Sequence, residues 1–260
     1  MDNENFKKNY SMQTVHRAVK ILRAFSREHT RLTLTELNGI TGIGKSSLQR
    51  LLSTLTMEGL LQRNEQDKRY QLGLEFIFLA ELVERNSSLL SLAQPVMKRL
   101  SKETNESISL SVIENNMRKC IHHIESKHEL TTLTYVGQTS PLYAGASAKI
   151  LLAYFSDEEL DNYLNNTVLE SITNNTTTSK EELLRQLESI RKMGYANSNG
   201  ERVKGAVSIS TPIFDPFSNI LSALTVMIPS VRMDENDLDD LIKKMKDGAT
   251  EITEKLLLYK

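Results

Sequence analysis

The sequence predicts an α+β protein of two parts joined by a helix, and three observations carry that prediction. Apolar residues recur at helical spacing through the first 58 residues, then give way to two short strand-like segments. Beyond residue 90, strand-like and helix-like segments interleave without the regular alternation of a parallel sheet. Charge also divides between the parts: residues 1–72 carry 12 Lys and Arg against 7 Asp and Glu, net +5, and the rest carry 20 against 26, net −6. Only the first part has the sign that suits a polyanion. With 39% apolar and 25% charged residues in 260, the composition is that of an ordinary globular chain, and the length favours more than one core.

Thr14 to Phe25 reads as a first helix ending near Ser26, with Val15, Ala18, Val19, Leu22 and Phe25 as its apolar stripe. In LTLTELNGITG, Thr33 or Thr35 caps a short helix carrying Glu36, Leu37 and Ile40, and Gly42 supplies a turn. A third helix runs from about Lys45 to Glu58. Leu48, Leu51, Leu52 and Leu55 define its inner face, and Lys45, Ser46, Gln49, Arg50 and Ser53 lie largely off it. A short helix, a glycine turn and a second helix with a polar outer surface are the parts of a helix-turn-helix. After Gly59, LLQRNEQDKRYQL gives strands over 60–63 and 69–72, a wing whose Arg63, Lys68 and Arg69 suit phosphate or the minor groove. Lys45, Ser46, Ser47, Gln49 and Arg50 are the candidate DNA contacts of the helix. A Gln fork matches adenine and an Arg fork guanine or phosphate; an ion pair with Glu36 is the other reading of Arg50.

A connecting helix follows to about Asn86. Its apolar surface, Leu74, Phe76, Ile77, Leu79, Ala80 and Val83, is wider than one stripe and suits a subunit interface or the adjoining domain. Another helix spans 90–103, with Pro95 tolerable only near a first turn or at a kink. Strands over 108–114 and 118–126 flank the turn ENNM, and LTYVG at 133–137 reads as a third strand. Ser147 to Phe155 is helical, Ser156 and Glu159 form a capping box for the next helix, and 173–180 is a loop. The helix that follows stops at Gly194, strands over 206–214 and 220–229 pair across Asp215-Pro216, and a helix over 237–258 completes the chain. The divisions are therefore 12–73 for DNA binding, 74–89 for the linker and 90–260 for the C-terminal domain.

Two motifs point elsewhere. GITGIGKS at 39–46 satisfies the pattern of a phosphate-binding loop, but TELN before it reads as helix where such a loop needs a buried strand. Cys120, His122, His123 and His128 resemble metal ligands, yet on a regular strand Cys120 and His122 share a face while His123 points away. Neither metal nor cofactor is expected, no nucleophile-base pair suggests an enzyme, and Lys149 and Glu201 read as structural or salt-bridged. A single cysteine, apolar runs too short for a bilayer and the polar start MDNENFKKNYSM lead to an expected cytoplasmic location.

The stretch LTELNGITGIGKSSLQRLLSTLTMEGLLQRNEQDKRYQLG resembles the DNA-binding domain of the IclR-type bacterial transcription regulators, whose wing ends in Tyr-x-Leu-Gly, here Tyr70, Leu72 and Gly73. VGQTSPLYAGASAKILLAYFSDEEL is similar to that family's segment at the edge of the effector pocket, and LRQLESIRKMGYANSNGERVKGAVSISTPIFD to its late helix, ligand loop and core strand. The resemblance covers about residues 12–257. It implies a winged helix-turn-helix joined by a linker helix to a GAF-like effector-binding domain, acting as a homodimer or dimer of dimers on operator DNA. The expected function is sequence-specific transcription regulation, as a repressor rather than an activator, modulated by a small organic effector, an acid. The resemblance implies an effector pocket at Ala146, Ser147, Ala148, Ser198, Ala206, Ser208, Thr225 and Met227, where free amides at a helix start receive a carboxylate and hydroxyls add hydrogen bonds. Close packing is the other reading of these small residues. Tyr143, Gly145, Ala148 and Gly200-Glu201 depart from the family pattern around the pocket, so no particular effector carries over. The remaining alternatives are a small-molecule sensor acting only through protein contacts and a nucleotide-binding enzyme using the 39–46 loop.

Overall fold

The computed structural model describes residues 11–131, 134–235 and 238–258, with Arg85, Asp234 and Glu235 described by their backbone alone. The chain divides after Asn86 into two compact units.

The first unit contains α1 (Gln13–Leu22), α2 (Leu34–Thr41), α3 (Lys45–Met57), the hairpin β1 (Leu61–Arg63) and β2 (Tyr70–Leu72), and α4 (Glu75–Asn86). Thr33 caps α2 through a full capping box: its hydroxyl accepts the Glu36 amide, and the Glu36 carboxylate accepts the Thr33 amide at 2.7 Å. Gly42 ends α2 at φ +66°, a left-handed conformation in which a side chain is strained. Leu37, Leu48, Leu52, Leu55, Leu61 and Tyr70 close the core with Ile21. Two expectations fail here. The first helix stops at Leu22, and it is turned so that Ile21 is buried while Val15 and Val19 are exposed. Ile40 is exposed as well, because α2 has only two turns and spends its inner face on Leu37 and Thr41.

The second unit is built on a six-stranded antiparallel sheet, order β5-β4-β3-β8-β7-β6. Its strands are β3 (Ser107–Glu114), β4 (Met117–Ile124), β5 (Thr139–Pro141), β6 (Ala196–Asn199), β7 (Ala206–Phe214) and β8 (Ile220–Pro229). The helices are α5 (Ser88–Thr104), α6 (Ala146–Leu152), α7 (Asp157–Asn165), α8 (Lys180–Met193) and α9 (Leu238–Leu258), with a 3-10 segment at Ser230–Glu235. Strand alternation sorts the side chains. Ile108, Leu110, Ile209, Val226 and Ile228 meet α5 and α9 in the main core. Ser107, Ser109, Ser111, Ser208, Ser210, Thr225 and Met227 alternate with them, on the face toward α6.

The 133–137 strand is not formed over its described residues, 134–137. Gly137, at φ +89°, donates to the Cys120 carbonyl, and strand pairing with β4 begins only at Thr139. β6 has no counterpart in the sequence reading. Pro95 lies inside α5; the carbonyl it leaves without an amide belongs to exposed Ser91, while Ala93, Val96, Met97 and Leu100 hold the helix to the core. α6 ends at Leu152, three residues short of Phe155. Among the described residues, no helix is long and apolar enough to cross a membrane.

Candidate functional site

In the first unit, Leu48 and Leu52 fix the inner face of α3 and thereby turn Lys45, Ser46, Gln49 and Arg50 outward, with Ser47 half-buried. Its N-cap is Gly44, which offers no side-chain acceptor, so the first-turn amides and the positive end of the helix dipole face outward. The turn before α3 is held from inside: the Asn38 side-chain amide donates to the Ile43 carbonyl at 2.7 Å, and the Thr41 hydroxyl to Leu37 at 2.6 Å. Gly39 lies within α2 and no strand precedes it among the described residues, so the glycine-lysine motif is the turn of the helix-turn-helix.

The wing cations differ in their commitments. Lys68, at a left-handed φ of +58°, sits 2.9 Å from the Glu65 carboxylate. Arg63 is 3.7 Å from the same carboxylate and stacks over Tyr70, 5.6 Å from the ring centre. Hydrogen bonding from Lys68, helped by Arg63, holds the Glu65 carboxyl below its usual range. Arg69 turns inward, donating to the Arg31 carbonyl at 3.2 Å and approaching Glu36 at 3.5 Å. The partner of Glu36 is thus Arg69, not Arg50.

In the second unit, Ala146, Ser147, Ser198, Ala206, Ser208, Thr225 and Met227 line one cavity of about 30 Å3, whereas Ala148 is fully buried and does not line it. Ser198, Ser208 and Met227 stand side by side across β6, β7 and β8. Thr225 shares a hydrogen bond of 2.9 Å with Ser210, and the Thr134 hydroxyl reaches the Met227 sulfur at 3.1 Å. The residue just before α6 is engaged from within the chain. Gly145, at φ +90°, donates to Glu201 at 3.1 Å, and the same carboxylate oxygen lies 2.6 Å from the Lys149 ammonium. The Gln186 side-chain carbonyl accepts from Lys149 at 2.7 Å. Thr173 and Thr176 donate to the Gly200 and Glu201 carbonyls, at 2.7 and 2.6 Å respectively, and so tie this loop down.

Sequence reasoning missed two arginines. Arg202 lines the cavity beside Gly145, and a Cβ at Gly145 would lie 3.9 Å from its Nε. Arg118 on β4 is only 1% exposed; its Nε donates to the Ser111 hydroxyl at 3.1 Å, and its Nη1 has no hydrogen-bond partner among the described residues. Burial, with the Arg202 charge adding to it, pushes the Arg118 guanidinium down to about 10. Burial likewise lowers Arg202 and raises the Cys120 thiol. The available signal was spacing: Arg118 is two residues from buried Cys120 on one strand. The face assignment of the histidines also needs correction. A bulge at Leu110/Ser111 sets Cys120 opposite Ser111, His122 opposite Leu110 and His123 opposite Ser109, so His123, not His122, shares the face of Cys120. Among the described residues, no group of three His, Cys, Asp or Glu is placed to hold a metal.

A larger hollow of about 510 Å3 opens among Tyr154, Phe155, Tyr163 and Asn219. Its one carboxylate, Glu159, is engaged in the capping box of α7.

Comparison with known proteins adds four findings. Residues 14–65 match the IclR helix-turn-helix domain, and residues 82–254 match the bacterial transcriptional regulator IclR C-terminal domain. The HTH-type transcriptional regulator KipR of Bacillus subtilis (strain 168) is 32% identical over 94% of this chain and 97% of its own length. A transcriptional regulator from Rhodococcus sp. RHA1 superposes with a TM-score of 0.86 at 26% identity, covering 95% of this chain and 99% of that one. An IclR homologue from Microbacterium hydrocarbonoxydans, solved in complex with 4-hydroxybenzoate, has the same fold, with a TM-score of 0.85 at 24% identity over 95% of this chain and 100% of that one.

Proposed function

The chain belongs to the IclR family of helix-turn-helix transcriptional regulators, and from that premise we propose that it is a cytoplasmic repressor whose grip on operator DNA is set by a small organic acid. It is a regulator and not an enzyme, as its named relatives are. The observation that carries the DNA reading is α3, whose first two turns, without a side-chain cap, carry exposed Lys45, Ser46, Gln49 and Arg50 after a glycine turn held by Asn38 and Thr41. Gln49 and Ser47 are assigned to base edges, and Lys45, Ser46 and Arg50 to phosphate or guanine. Arg63 and Lys68 are assigned to the backbone beside the wing, and Arg69 to bracing it.

The effector is assigned to the cavity under α6, where Ser147, Ser198, Ser208 and Thr225 surround a space beside Arg202. The Microbacterium relative holds a small aromatic acid, a ligand of the same broad class. A homodimer, or dimer of dimers, is assigned to α4, on which Ile77, Phe78, Leu82 and Val83 are exposed beside Leu74.

Passing the protein over fragmented DNA of its own genome at roughly 0.15 M salt tests the main reading. Recovery of a few palindromic promoter sites is the expected outcome; uniform recovery at every candidate-effector condition overturns it. Gln49→Ala then relaxes preference at one operator position, whereas uniform weakening reassigns Gln49 to phosphate. Ser208→Leu removes the effector response and spares operator binding.

A further inference from the structure

We propose that the hollow of about 510 Å3 at the turn end of the sheet is a second ligand site, and that it takes a neutral sugar of one or two rings. It stands apart from the cavity assigned to the effector. Ala146 and Ser147, at the start of α6, line that cavity, whereas Tyr154 and Phe155 follow the end of α6 and line the hollow. The volume lies in the range that small-molecule sites occupy, roughly 300–1,000 Å3. The floor is aromatic, with Tyr154 and Phe155 half-buried and Tyr163 buried, and each ring is fixed by a neighbour. Tyr154 meets Phe214 edge to face at 5.0 Å, Phe155 meets Tyr163 in the same way at 6.4 Å, and the Tyr163 hydroxyl accepts the Leu142 amide at 3.0 Å.

The rim is polar, and two tight turns set part of it. Asn116 stands in the two-residue turn between β3 and β4 at φ +57°, and Asn219 closes the turn between β7 and β8, where Asp215 accepts the Phe217 and Asn219 amides at 2.8 Å each. Glu159 and Asn162 of α7 supply another wall. The bonds these side chains already make leave complementary groups over. The Asn162 side-chain oxygen accepts from Asn166 at 2.9 Å, which leaves its N–H groups. Asn219 gives an N–H to Asp215 at 3.1 Å, which leaves its carbonyl oxygen, and Glu159 takes the Ser156 amide and hydroxyl on Oε2 alone, which leaves Oε1. A sugar hydroxyl both donates and accepts, so a row of them answers donors and acceptors set side by side, while the C–H face of the ring lies on an aromatic floor. Charge narrows the class further. Among the described residues, no lysine, arginine or histidine lines the hollow, which disfavours an acid. The Glu159 carboxylate is already answered by Ser156 in the first turn of α7, which disfavours a cation.

The test is titration calorimetry on the full-length protein without any organic acid present. Xylose, glucose, galactose, xylobiose, cellobiose and maltose form one arm, set against glucuronate, galacturonate and choline. At least one neutral sugar is expected to bind with a Kd below about 1 mM, and at least about tenfold more tightly than either uronic acid or choline. Asn116→Gly keeps the left-handed turn and removes the amide, and Asn162→Ala removes the second amide from a helix surface. Each weakens that sugar at least about threefold, and the pair together at least about tenfold. Both side chains are exposed, so their removal leaves the core intact. Ser208→Leu, in the cavity beside Arg202, leaves the sugar affinity as it was. The proposal is overturned if no sugar of the panel binds, if a uronic acid or choline binds as tightly, or if the double asparagine variant binds as the wild type does. It is overturned as well if Ser208→Leu abolishes binding, which places the sugar in the other cavity.

Discussion

Lys149 and Arg118 are long cations taken out of water in the same unit, 2% and 1% exposed, and the chain surrounds them in opposite ways. The Lys149 ammonium has Glu201 at 2.6 Å, Gln186 at 2.7 Å and Thr177 at 3.4 Å, one acceptor for each of its three N–H groups. Arg118 has one serine hydroxyl and an idle Nη1. The first arrangement ties α6 to the loop after β6 and to α8, three pieces distant in sequence. The second ties together little beyond two neighbouring strands. A buried charge that is fully answered organises a fold, whereas one left unanswered costs stability.

Removing the answered charge is the harshest way to break the comparison. Lys149→Met leaves Glu201, only 12% exposed, as a buried carboxylate with no cation, and we expect a loss of about 3–5 kcal/mol in denaturant unfolding. A loss below about 1 kcal/mol would mean that Glu201 reaches water by a small loop movement and that the knot is not structural. Arg118→Met should act with the opposite sign. A guanidinium pushed from its ordinary value down to about 10 carries a burden on the order of 3 kcal/mol. The lost hydrogen bond to Ser111 offsets about 1 kcal/mol of that. The ligand-free variant is therefore expected to gain roughly 1–3 kcal/mol, and a net loss would show that Arg118 is part of the scaffold. An exposed pair sharpens the contrast at the low end: Arg69→Met removes the 3.5 Å contact with Glu36, where both side chains are more than a third exposed, and should cost about 0.2–1 kcal/mol.

How far each region was legible in the sequence follows from the range of the interactions that shape it. The helix-turn-helix announces itself locally: Thr33 and Glu36 are three residues apart, Gly42 sits at the turn, and Leu48, Leu52 and Leu55 repeat at helical spacing. Strands β7 and β8 were legible for a similar reason, since ISTPIF and ILSALTVMIP are apolar enough to mark buried strands. β6, with the sequence ANSN, has almost no apolar content, and it is a strand only because β7 offers a free edge. LTYVG had the content of a strand, yet Gly137 turns the chain before pairing begins. The phase of α1 was misread because Val15 and Val19, which extend the stripe, are exposed, while Ile21 alone is fully buried. The pocket divides in the same way. Its small residues were named through resemblance, whereas Arg202, which lines it, and Arg118, buried outside its lining, read as ordinary charged positions; the burial of Arg118 depends on β5, joined to β4 only after a long excursion.

The weakest of these effects separates a charged buried guanidinium from a merely misplaced one. A base whose folded pKa is depressed is disfavoured while charged, so its full burden is present below about 10, where folded and unfolded chains both hold the proton. As pH rises past that value the folded chain releases its proton before the unfolded chain does, and the burden declines. The wild type should therefore gain on Arg118→Met as pH rises from 8 to 10, by less than any of the effects above. Arg202, whose charge bears on Arg118, and Cys120 are both coupled to the substitution, so the comparison is repeated in an Arg202→Met, Cys120→Ala background. A stability difference that stays flat from pH 8 to 10 in both backgrounds would mean that Arg118 is solvated well enough to keep its ordinary affinity for the proton. The contrast with Lys149 would then lie in packing and not in charge.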